Sequence, residues 1–259
     1  PDPAKLPWKE LNIDIVIEST GEFADRANAI KHVEQSGAKK VIISAPIKGE
    51  FDDVNYVVLG VNNEIINRND VIISNASCTT NNVAPLIKII DDNWGIEKGF
   101  ITTIHSYTKD QNLVDGPHKD WRRGRAAAYS IVPTTTGAAK AVTKIFPHLK
   151  NDLGGAGFRV PVPDGSLTDL TCTLEKSTSV EEINTIFKEA SQTYMKGIIE
   201  YTDDPIVSVD VIGNTHSAVF DANLTAVLGD KNKLVKVVAW YDNEMGYSSR
   251  LVELIEKFV

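Results

Sequence analysis

Short continuous runs of apolar residues alternate with an amphipathic segment through the first third of the chain. The runs Ile13–Glu18, Lys40–Ser44, Tyr56–Val61 and Val71–Ser74 predict buried strands, and Ala24–Gln35 has the apolar spacing of a helix. Strands that are apolar on both faces and alternate with helical sequence are typical of a parallel sheet. The pattern therefore predicts an α/β unit in this part of the chain.

The pattern changes after residue 78. Five segments rich in Val, Thr and Ile predict strands, namely Phe100–Thr108, Ser166–Leu174, Ile206–Ile212, Ala218–Leu228 and Leu234–Tyr241. A helix is predicted over Val180–Ala190, where Ser179 and Glu182 have the spacing of a capping box. A second helix, Tyr247–Phe258, carries an apolar stripe. This combination predicts an α+β unit with a mixed or antiparallel sheet and helices on one face.

Cys78 lies where the strand Val71–Ser74 gives way to a helical pattern. The free N–H groups and the dipole at a helix N-terminus favour a thiolate, so we expect a nucleophilic sulfur with a depressed pKa. Ser77 and Thr79 add hydroxyl donors beside it for an oxyanion or a phosphate. The alternative interpretation of such a cysteine is a small buried apolar residue.

Composition limits the function classes. The chain has 259 residues, 42% of them hydrophobic, which is enough for one large core or two ordinary ones. A net charge of −8 argues against nucleic acid or an anionic membrane as the main partner, so an anionic substrate must be held by local cationic groups. Two cysteines form no disulfide framework, and we see neither a secretory signal nor a membrane span. We expect a cytoplasmic protein without a metal site.

Seven segments carry a family resemblance. They are Ile17–Gly21, Lys39–Pro46, Ser74–Asn81, Thr134–Ala141, Phe158–Pro161, Asp169–Cys172 and Trp240–Tyr247. Their residues and their order resemble the glyceraldehyde-3-phosphate dehydrogenase family, of the phosphorylating glycolytic type, from one end of the chain to the other. That family carries a Gly-x-Gly-x-x-Gly fingerprint in its cofactor domain, and this sequence contains none. We therefore expect the chain to begin inside that domain, downstream of the fingerprint.

The resemblance implies two domains and a catalytic pair. Residues 1–77, completed by 242–259, would form the second half of a Rossmann-type NAD domain, and residues 78–241 a catalytic domain. Cys78 falls where the family has its nucleophile, and His105 where it has the histidine that activates the thiol. By its sequence alone, a histidine at the end of a strand is more often structural. Family members often carry a second cysteine where this chain has Asn82, a departure that should leave catalysis unaffected.

The resemblance also implies two anion sites. Arg159 is the one arginine in an apolar run, and its guanidinium group suits an oxyanion. In the family, the substrate phosphate is bound by the residues matching Thr108 and Arg159. The second phosphate is bound by those matching Ser77, Thr79, Thr136 and Gly137. Thr136 and Gly137 also read simply as the start of a helix, and both interpretations are compatible because helix N-termini bind phosphate.

For the cofactor, the resemblance implies a site at the carboxyl ends of two parallel strands. Its residues would be Ser19, Thr20, Gly21 and Ser44, with Asn243 on the nicotinamide amide and Tyr247 beside the ring. We expect NAD, because Asp115–Pro117 is more similar to the glycolytic NAD enzymes; NADP is not excluded, since the acidic residue that decides lies upstream. The segment Lys109–Ser130 resembles the family's intersubunit loop and implies a homotetramer. Its arginines, Arg122, Arg123 and Arg125, read either as subunit contacts or as a solvated cluster.

The implied reaction is the oxidation of glyceraldehyde 3-phosphate by NAD and inorganic phosphate to 1,3-bisphosphoglycerate, through a thioester on the cysteine. Three alternatives stay open at this point. One is erythrose-4-phosphate dehydrogenase, which acts on a longer sugar phosphate. The second is a Cys–His hydrolase that needs no nicotinamide. The third is a non-catalytic binding protein on the same scaffold.

Overall fold

The polypeptide divides into two units. A computed structural model describes residues 2–49 and 54–259. The first unit consists of the described residues up to Ser77 together with Ser248–Val259, and the second of Cys78–Tyr247. No helix in the described ranges is both long enough and apolar enough to span a membrane.

The first unit contains a four-stranded parallel sheet. Its strands are β1 (Ile15–Glu18), β2 (Lys40–Ile43), β3 (Asn55–Tyr56) and β4 (Ile72–Ser74). They lie in the order β1-β2-β4-β3, and every neighbouring pair is parallel. The central residues Val41, Ile42 and Ile43 are fully buried, as expected for a strand covered on both faces. The predicted parallel sheet is confirmed.

The predicted strand Tyr56–Val61 is wrong beyond its first residue. The Val57 N–H still donates to the Ser74 carbonyl of β4 at 2.8 Å, but after Val57 the chain turns and side chains become the hydrogen-bond partners. Asn62 Oδ1 accepts from the Val58 N–H at 2.8 Å, and Asn63 Oδ1 accepts from the Gly60 N–H at 3.0 Å. The apolar residues of this segment, Val57, Val58, Leu59 and Val61, are still buried. Burial was therefore predicted correctly, but the apolar run did not distinguish a strand from a buried turn.

The predicted helix Ala24–Gln35 consists of two short helices, α1 (Arg26–Ala29) and α2 (Lys31–Glu34), which meet at Ile30. Asp25 caps the first by accepting from the Asn28 N–H at 2.9 Å. Helical hydrogen bonds continue on both sides of Ile30. The pair buries its apolar face in the same cluster as the sheet residues Val41 and Ile43.

The second unit contains a mixed eight-stranded sheet. Its strands are β5 (Ile96–Ser106), β6 (Val132–Thr134), β7 (Leu153–Val160), β8 (Ser166–Leu174), β9 (Ile199–Thr202), β10 (Ala218–Asp221), β11 (Ala226–Leu228) and β12 (Leu234–Tyr241). The order is β6-β7-β5-β8-β12-β10-β9, with β11 on β12. The pairs β5–β7 and β9–β10 are parallel, and the other pairs are antiparallel. The predicted mixed sheet is confirmed.

Two predicted strands of this unit need correction. Ile206–Ile212 contains a 3₁₀ helix, Ser208–Val211, where the Asp210 carboxylate accepts from the Val207 N–H at 2.8 Å. Ala218–Leu228 is divided into β10 and β11 by a 3₁₀ helix that begins after Asp221, whose carboxylate accepts from the Asn223 N–H at 3.1 Å. In both places an aspartate offers the backbone a local partner that competes with a strand.

The first half of β7 was not predicted, because it is rich in glycine and has low strand propensity. Glycine is required there by packing. A Cβ on Gly155 would lie 2.8 Å from the Ala139 Cβ, and one on Gly154 would lie 2.8 Å from the Phe100 ring. The missing side chains therefore allow neighbouring elements to approach this strand closely.

Four longer helices complete the fold: α3 (Cys78–Trp94), α4 (Ala138–Ile145), α5 (Val180–Gln192) and α6 (Met245–Phe258). Helix α3 continues through Pro85, and most of its residues are buried. The predicted cap of α5 is half confirmed. Ser179 Oγ accepts from the Glu182 N–H at 3.1 Å, but the Glu182 carboxylate accepts from the Thr178 hydroxyl instead of returning to Ser179.

Helix α5 is held to the sheet by ring stacking, which generates a stability prediction. Phe187 is fully buried, with its ring 4.0 Å from that of Phe220 and only 7° from parallel. Phe187→Ala should lower the free energy of unfolding by about 3–5 kcal/mol, because it leaves a cavity that the core cannot close. Phe100→Ala, at a residue 49% exposed, should cost about 1 kcal/mol or less. Urea unfolding followed by circular dichroism measures both, and equal losses would contradict the assignment of Phe187 to the core.

Candidate active site

Cys78 is the first residue of α3, as the sequence predicted. Strand β4 ends at Ser74, and the chain reverses through Ala76, whose φ of 54° lies in the left-handed region. That conformation costs a residue with a side chain about 1–2 kcal/mol. The turn is held by a hydrogen bond from the Ala76 N–H to the Ser74 hydroxyl at 3.0 Å. The turn places Cys78 at the N-terminus of the helix, with Ser77 half-buried immediately before it.

His105 faces the Cys78 sulfur from the carboxyl end of strand β5. It is the penultimate residue of β5, and its Nε2 lies 3.4 Å from Cys78 Sγ. The imidazole is 6% exposed. Its Nδ1 lies 2.8 Å from the Ser106 carbonyl oxygen. The structure therefore brings together the two residues that the sequence assigned to catalysis.

Arg159 joins this pair through the strand register. Strands β5 and β7 are parallel, and His105 lies directly opposite Arg159 across them. One guanidinium nitrogen of Arg159 contacts His105 Nδ1 and donates to the Ser106 carbonyl at 3.1 Å. Cys78, His105 and Arg159 thus form one cluster. The sulfur is next to Nε2 of the imidazole, and the guanidinium group is next to Nδ1.

The electrostatics of the cluster correct one prediction. Burial and the neighbouring Arg159 lower the pKa of His105 to about 4. Burial also raises the pKa of Cys78, although the Thr79 N–H, the Arg159 charge and the Thr79 hydroxyl each act in the opposite direction. The expected depressed thiol pKa is therefore wrong, because desolvation outweighs the helix N-terminus. At neutral pH the cluster contains a thiol and a neutral imidazole.

Thr79 is directed inward. Its hydroxyl lies 2.9 Å from the hydroxyl of Tyr241, which in turn lies 3.1 Å from the hydroxyl of Thr103. Tyr241 is 1% exposed, and burial raises its pKa well above the usual range. Sequence reasoning missed Tyr241; the only signal was its place within the segment Trp240–Tyr247.

The remaining predicted anion ligands lie on two loops. Thr108 follows β5, and its N–H donates to Gln111 Oε1 at 3.3 Å. Gly137 precedes α4, and Thr136 Oγ1 accepts from the Ala138 N–H at 3.2 Å. Within residues 2–49 and 54–259, no hydrogen bond joins these three residues to Cys78, His105 or Arg159. Their roles stay predictions.

Asn243, one of the two residues predicted to contact the nicotinamide, is bonded to strands β5 and β8. Asn243 Oδ1 accepts from the Ser106 hydroxyl at 2.9 Å and from the Ser166 hydroxyl at 2.7 Å. These two bonds fix the amide orientation, so that Nδ2 is the end that can donate to an acceptor such as a carboxamide oxygen. Tyr247 is half-buried in the first turn of α6. The Nδ2 donor of Asn243 therefore fits the nicotinamide carboxamide that the sequence assigned to this residue.

In the first unit, the predicted cofactor residues follow the carboxyl ends of β1 and β2. Ser19 and Ser44 share a hydrogen bond of 2.9 Å, and Gly21 has a φ of 75° with open space around its Cα. The N–H and hydroxyl of Thr20 both donate to Glu18, which is buried and also bonded to His32 at 3.0 Å. Burial alone would raise the pKa of Glu18, but the hydrogen bonds from Thr20 and His32 lower it.

Arg123 is a second cation that sequence reasoning did not assign to the site. Its Nε donates to Thr134 Oγ1 at 3.1 Å, and it forms an ion pair with Asp110. Burial and then the charge of Arg123 lower the pKa of Arg159, although nearby Cys78 and Tyr241 act in the opposite direction. Over the part of the chain that the structure describes, no His, Cys, Asp and Glu side chains group to hold a metal ion.

Comparison with known proteins decides the family. Residues 77–243 match the family described as glyceraldehyde 3-phosphate dehydrogenase, C-terminal domain. The glyceraldehyde-3-phosphate dehydrogenase of Mycobacterium avium is 56% identical over 253 residues, which cover 98% of this chain and 73% of the relative. That of Borreliella burgdorferi is 52% identical over 264 residues, covering 100% of this chain and 77% of the relative. The chain belongs to the glyceraldehyde-3-phosphate dehydrogenase family.

This membership confirms several predictions made from the sequence. The resemblance of the seven segments and the fold class are both confirmed. An NAD-dependent oxidoreductase of the glyceraldehyde-3-phosphate dehydrogenase type is confirmed as the class of enzyme.

The low pKa of His105 makes stability depend on pH in this family member. Because folding lowers that pKa from 6.5 to about 4, the unfolded chain binds more protons between these values, and stability rises with pH across that window. His105→Gln removes the titrating group while keeping a neutral polar side chain. The difference in unfolding free energy between the two proteins should change between pH 4 and 6.5 and be constant above pH 7. A difference that stays flat throughout would contradict the buried neutral imidazole.

Proposed function

We propose that this chain catalyses the phosphorylating oxidation of glyceraldehyde 3-phosphate, with Cys78 as the nucleophile and His105 as the proton carrier. The observation that carries the proposal is the 3.4 Å contact between Cys78 Sγ and His105 Nε2, with Arg159 beside the imidazole. A sulfur, a base and a cation within one cluster supply what a phosphorylated aldehyde needs for covalent catalysis.

In the first half-reaction, the thiol proton passes to His105 Nε2 and the sulfur attacks the aldehyde carbon. The substrate phosphate pairs with Arg159 and offsets its charge, so the basicity of His105 rises as the substrate binds. His105 then returns the proton to the new oxygen, giving a thiohemiacetal. The Cys78 N–H at the start of α3 stabilises that oxygen while it is charged.

The second half forms and resolves the thioester on Cys78. NAD, when bound, supplies the hydride acceptor that the oxidation of the thiohemiacetal requires. His105 takes the hydroxyl proton as the thioester forms. An oxygen of inorganic phosphate then attacks the acyl carbon, the Cys78 thiolate leaves, and 1,3-bisphosphoglycerate is released while His105 reprotonates the sulfur. For the incoming phosphate we assign Ser77, Thr79, Thr136 and Gly137, and for the substrate phosphate Thr108 with Arg159.

The proposal extends to cofactor, domains, assembly and compartment. We assign NAD to Ser19, Thr20, Gly21 and Ser44 of an NAD-binding domain, with Asn243 and Tyr247 at the nicotinamide, and catalysis to the second domain. A homotetramer is supported by exposed apolar side chains in the loop that resembles an intersubunit loop. They are Leu113, Val114, Trp121 and Tyr129. Two unpaired cysteines support a reducing cytoplasm.

The nucleophile assignment is tested by alkylation. Iodoacetamide should label Cys78 faster than Cys172 at every pH from 7 to 10, because Cys172 is 1% exposed and burial raises its pKa to about 12. Since burial also raises the pKa of Cys78, its labelling rate should climb with pH beyond the usual thiol value of about 8.5. Peptide mass spectrometry locates the label, and Cys78→Ser is the control. Preferential labelling of Cys172 would contradict the assignment.

The anion site is tested at Arg159. Arg159→Leu should lower kcat/KM for glyceraldehyde 3-phosphate about 30-fold to 1,000-fold, since a charge-assisted contact worth about 2–4 kcal/mol is lost. Plain glyceraldehyde should lose much less. Arg68→Leu, at an exposed arginine of the first unit, is the matched control and should leave both substrates unaffected. NADH absorbance measures the rates.

Two further substrates separate the alternatives in the same assay. Faster turnover of erythrose 4-phosphate than of glyceraldehyde 3-phosphate would favour the sister activity. Turnover of an ester without NAD would favour a Cys–His hydrolase. If Arg159→Leu left the preference for phosphorylated over plain aldehyde unchanged, the substrate phosphate would have to be held elsewhere.

A further inference from the structure

A chain of buried hydroxyl groups leads away from the catalytic sulfur. Hydrogen bonding by the Thr79 N–H and hydroxyl acts to lower the pKa of Cys78, and the same hydroxyl lies 2.9 Å from that of Tyr241. Tyr241 lies 3.1 Å from the Thr103 hydroxyl, which also lies 3.3 Å from the Leu167 carbonyl oxygen. Thr79, Thr103 and Tyr241 are all at least nine-tenths buried. The proposed reaction gives Tyr241 no role, although this large polar side chain is buried next to Thr79 and His105.

We propose that Tyr241 is a positioning residue for catalysis, which orients the Thr79 hydroxyl so that it donates to the Cys78 sulfur. The inference rests on the proposed function, because it assigns Tyr241 a role only if Cys78 is the nucleophile. Tyr241 touches neither the substrate nor the sulfur in this account. It acts through Thr79.

Counting hydrogens gives the chain a direction. Thr103 can direct its hydroxyl hydrogen to the Leu167 carbonyl or to the Tyr241 oxygen, and donation to Tyr241 leaves the single hydroxyl hydrogen of Tyr241 for Thr79. A thiolate only accepts, so when Cys78 is ionised the Thr79 hydrogen is directed to the sulfur. The Thr79 oxygen then needs a donor, and the Tyr241 hydroxyl is within 2.9 Å of it. Hydrogen bonds in such a chain polarise one another, so the donor at the far end strengthens the bond to the sulfur.

Tyr241 also contacts the other member of the catalytic pair. Its ring packs against the His105 imidazole edge to face, with centroids 5.9 Å apart and planes at 78°. One residue at the end of β12 therefore contacts both Thr79 on α3 and His105 on β5. The titratable and charged groups facing the sulfur are His105 from β5, Arg159 from β7 and Tyr241 from β12.

The test is the pH profile of Cys78 alkylation by iodoacetamide, with peptide mapping. Tyr241→Phe keeps the ring and removes only the hydroxyl. It should move the midpoint of the profile to higher pH and slow labelling at pH 7 about threefold to tenfold. Thr79→Val should do at least as much, while Thr79→Ser, which retains a hydroxyl, should restore the profile. Adding Tyr241→Phe to Thr79→Val should have no further effect, because both act along one path.

Tyr201→Phe is the matched control. Tyr201 lies on β9, stacked against Phe220, and the same loss of one hydroxyl should leave the profile unchanged. An unchanged midpoint in Tyr241→Phe, or additive effects in the double variant, would overturn the inference while leaving Cys78 as the nucleophile. If Tyr241→Phe does not fold, Thr79→Val and Thr79→Ser decide: equal profiles overturn the inference and different ones support it. If Cys78 of the unmodified protein reacts no faster than Cys172, the proposed function itself fails, and this inference fails with it.

Discussion

The parallel pairing of β5 with β7 is the constraint on which the site depends. It places His105 opposite Arg159, so the imidazole lies between a guanidinium group and the sulfur at the start of α3. A shift of the register by one residue would place the two side chains on opposite faces of the sheet. The glycines of β7 belong to the same arrangement, because Gly155 lets α4 approach the strand that carries Arg159. Backbone pairing thereby sets the electrostatics of the proposed catalytic pair, Cys78 and His105.

Burial disfavours charge on both Cys78 and His105. The pKa of His105 falls to about 4 and that of Cys78 rises, so the thiolate–imidazolium pair is disfavoured from both sides. An anion beside Arg159 offsets the charge that suppresses protonation of His105. In the proposed reaction, the phosphate group that distinguishes the substrate from a plain aldehyde therefore also raises the basicity of His105. A resting thiol is chemically safer than a permanent thiolate, because oxidation proceeds through the thiolate.

Much of this could be predicted from the sequence, and the failures have physical causes. The junction at Cys78 and the strand Ser166–Leu174 follow from local patterns, and both were predicted correctly. The pKa of Cys78 was not, because burial depends on residues far apart in sequence. Tyr241 was missed because its partners, Thr79 and Thr103, are 162 and 138 residues away. The strand predicted at Ile206–Ile212 failed because Asp210 offers the backbone a local partner.

The central claim is that Cys78 forms the acyl intermediate, and acylation from the product side tests it most directly. In that direction the Cys78 thiolate attacks the acyl carbon of 1,3-bisphosphoglycerate and inorganic phosphate leaves, so a thioester forms without any redox step. Mass spectrometry of peptides at low pH should find one phosphoglyceryl group, on Cys78, that disappears in Cys78→Ser and in the presence of excess inorganic phosphate. An adduct on Cys172, or none on Cys78 while the fold is intact, would contradict the account.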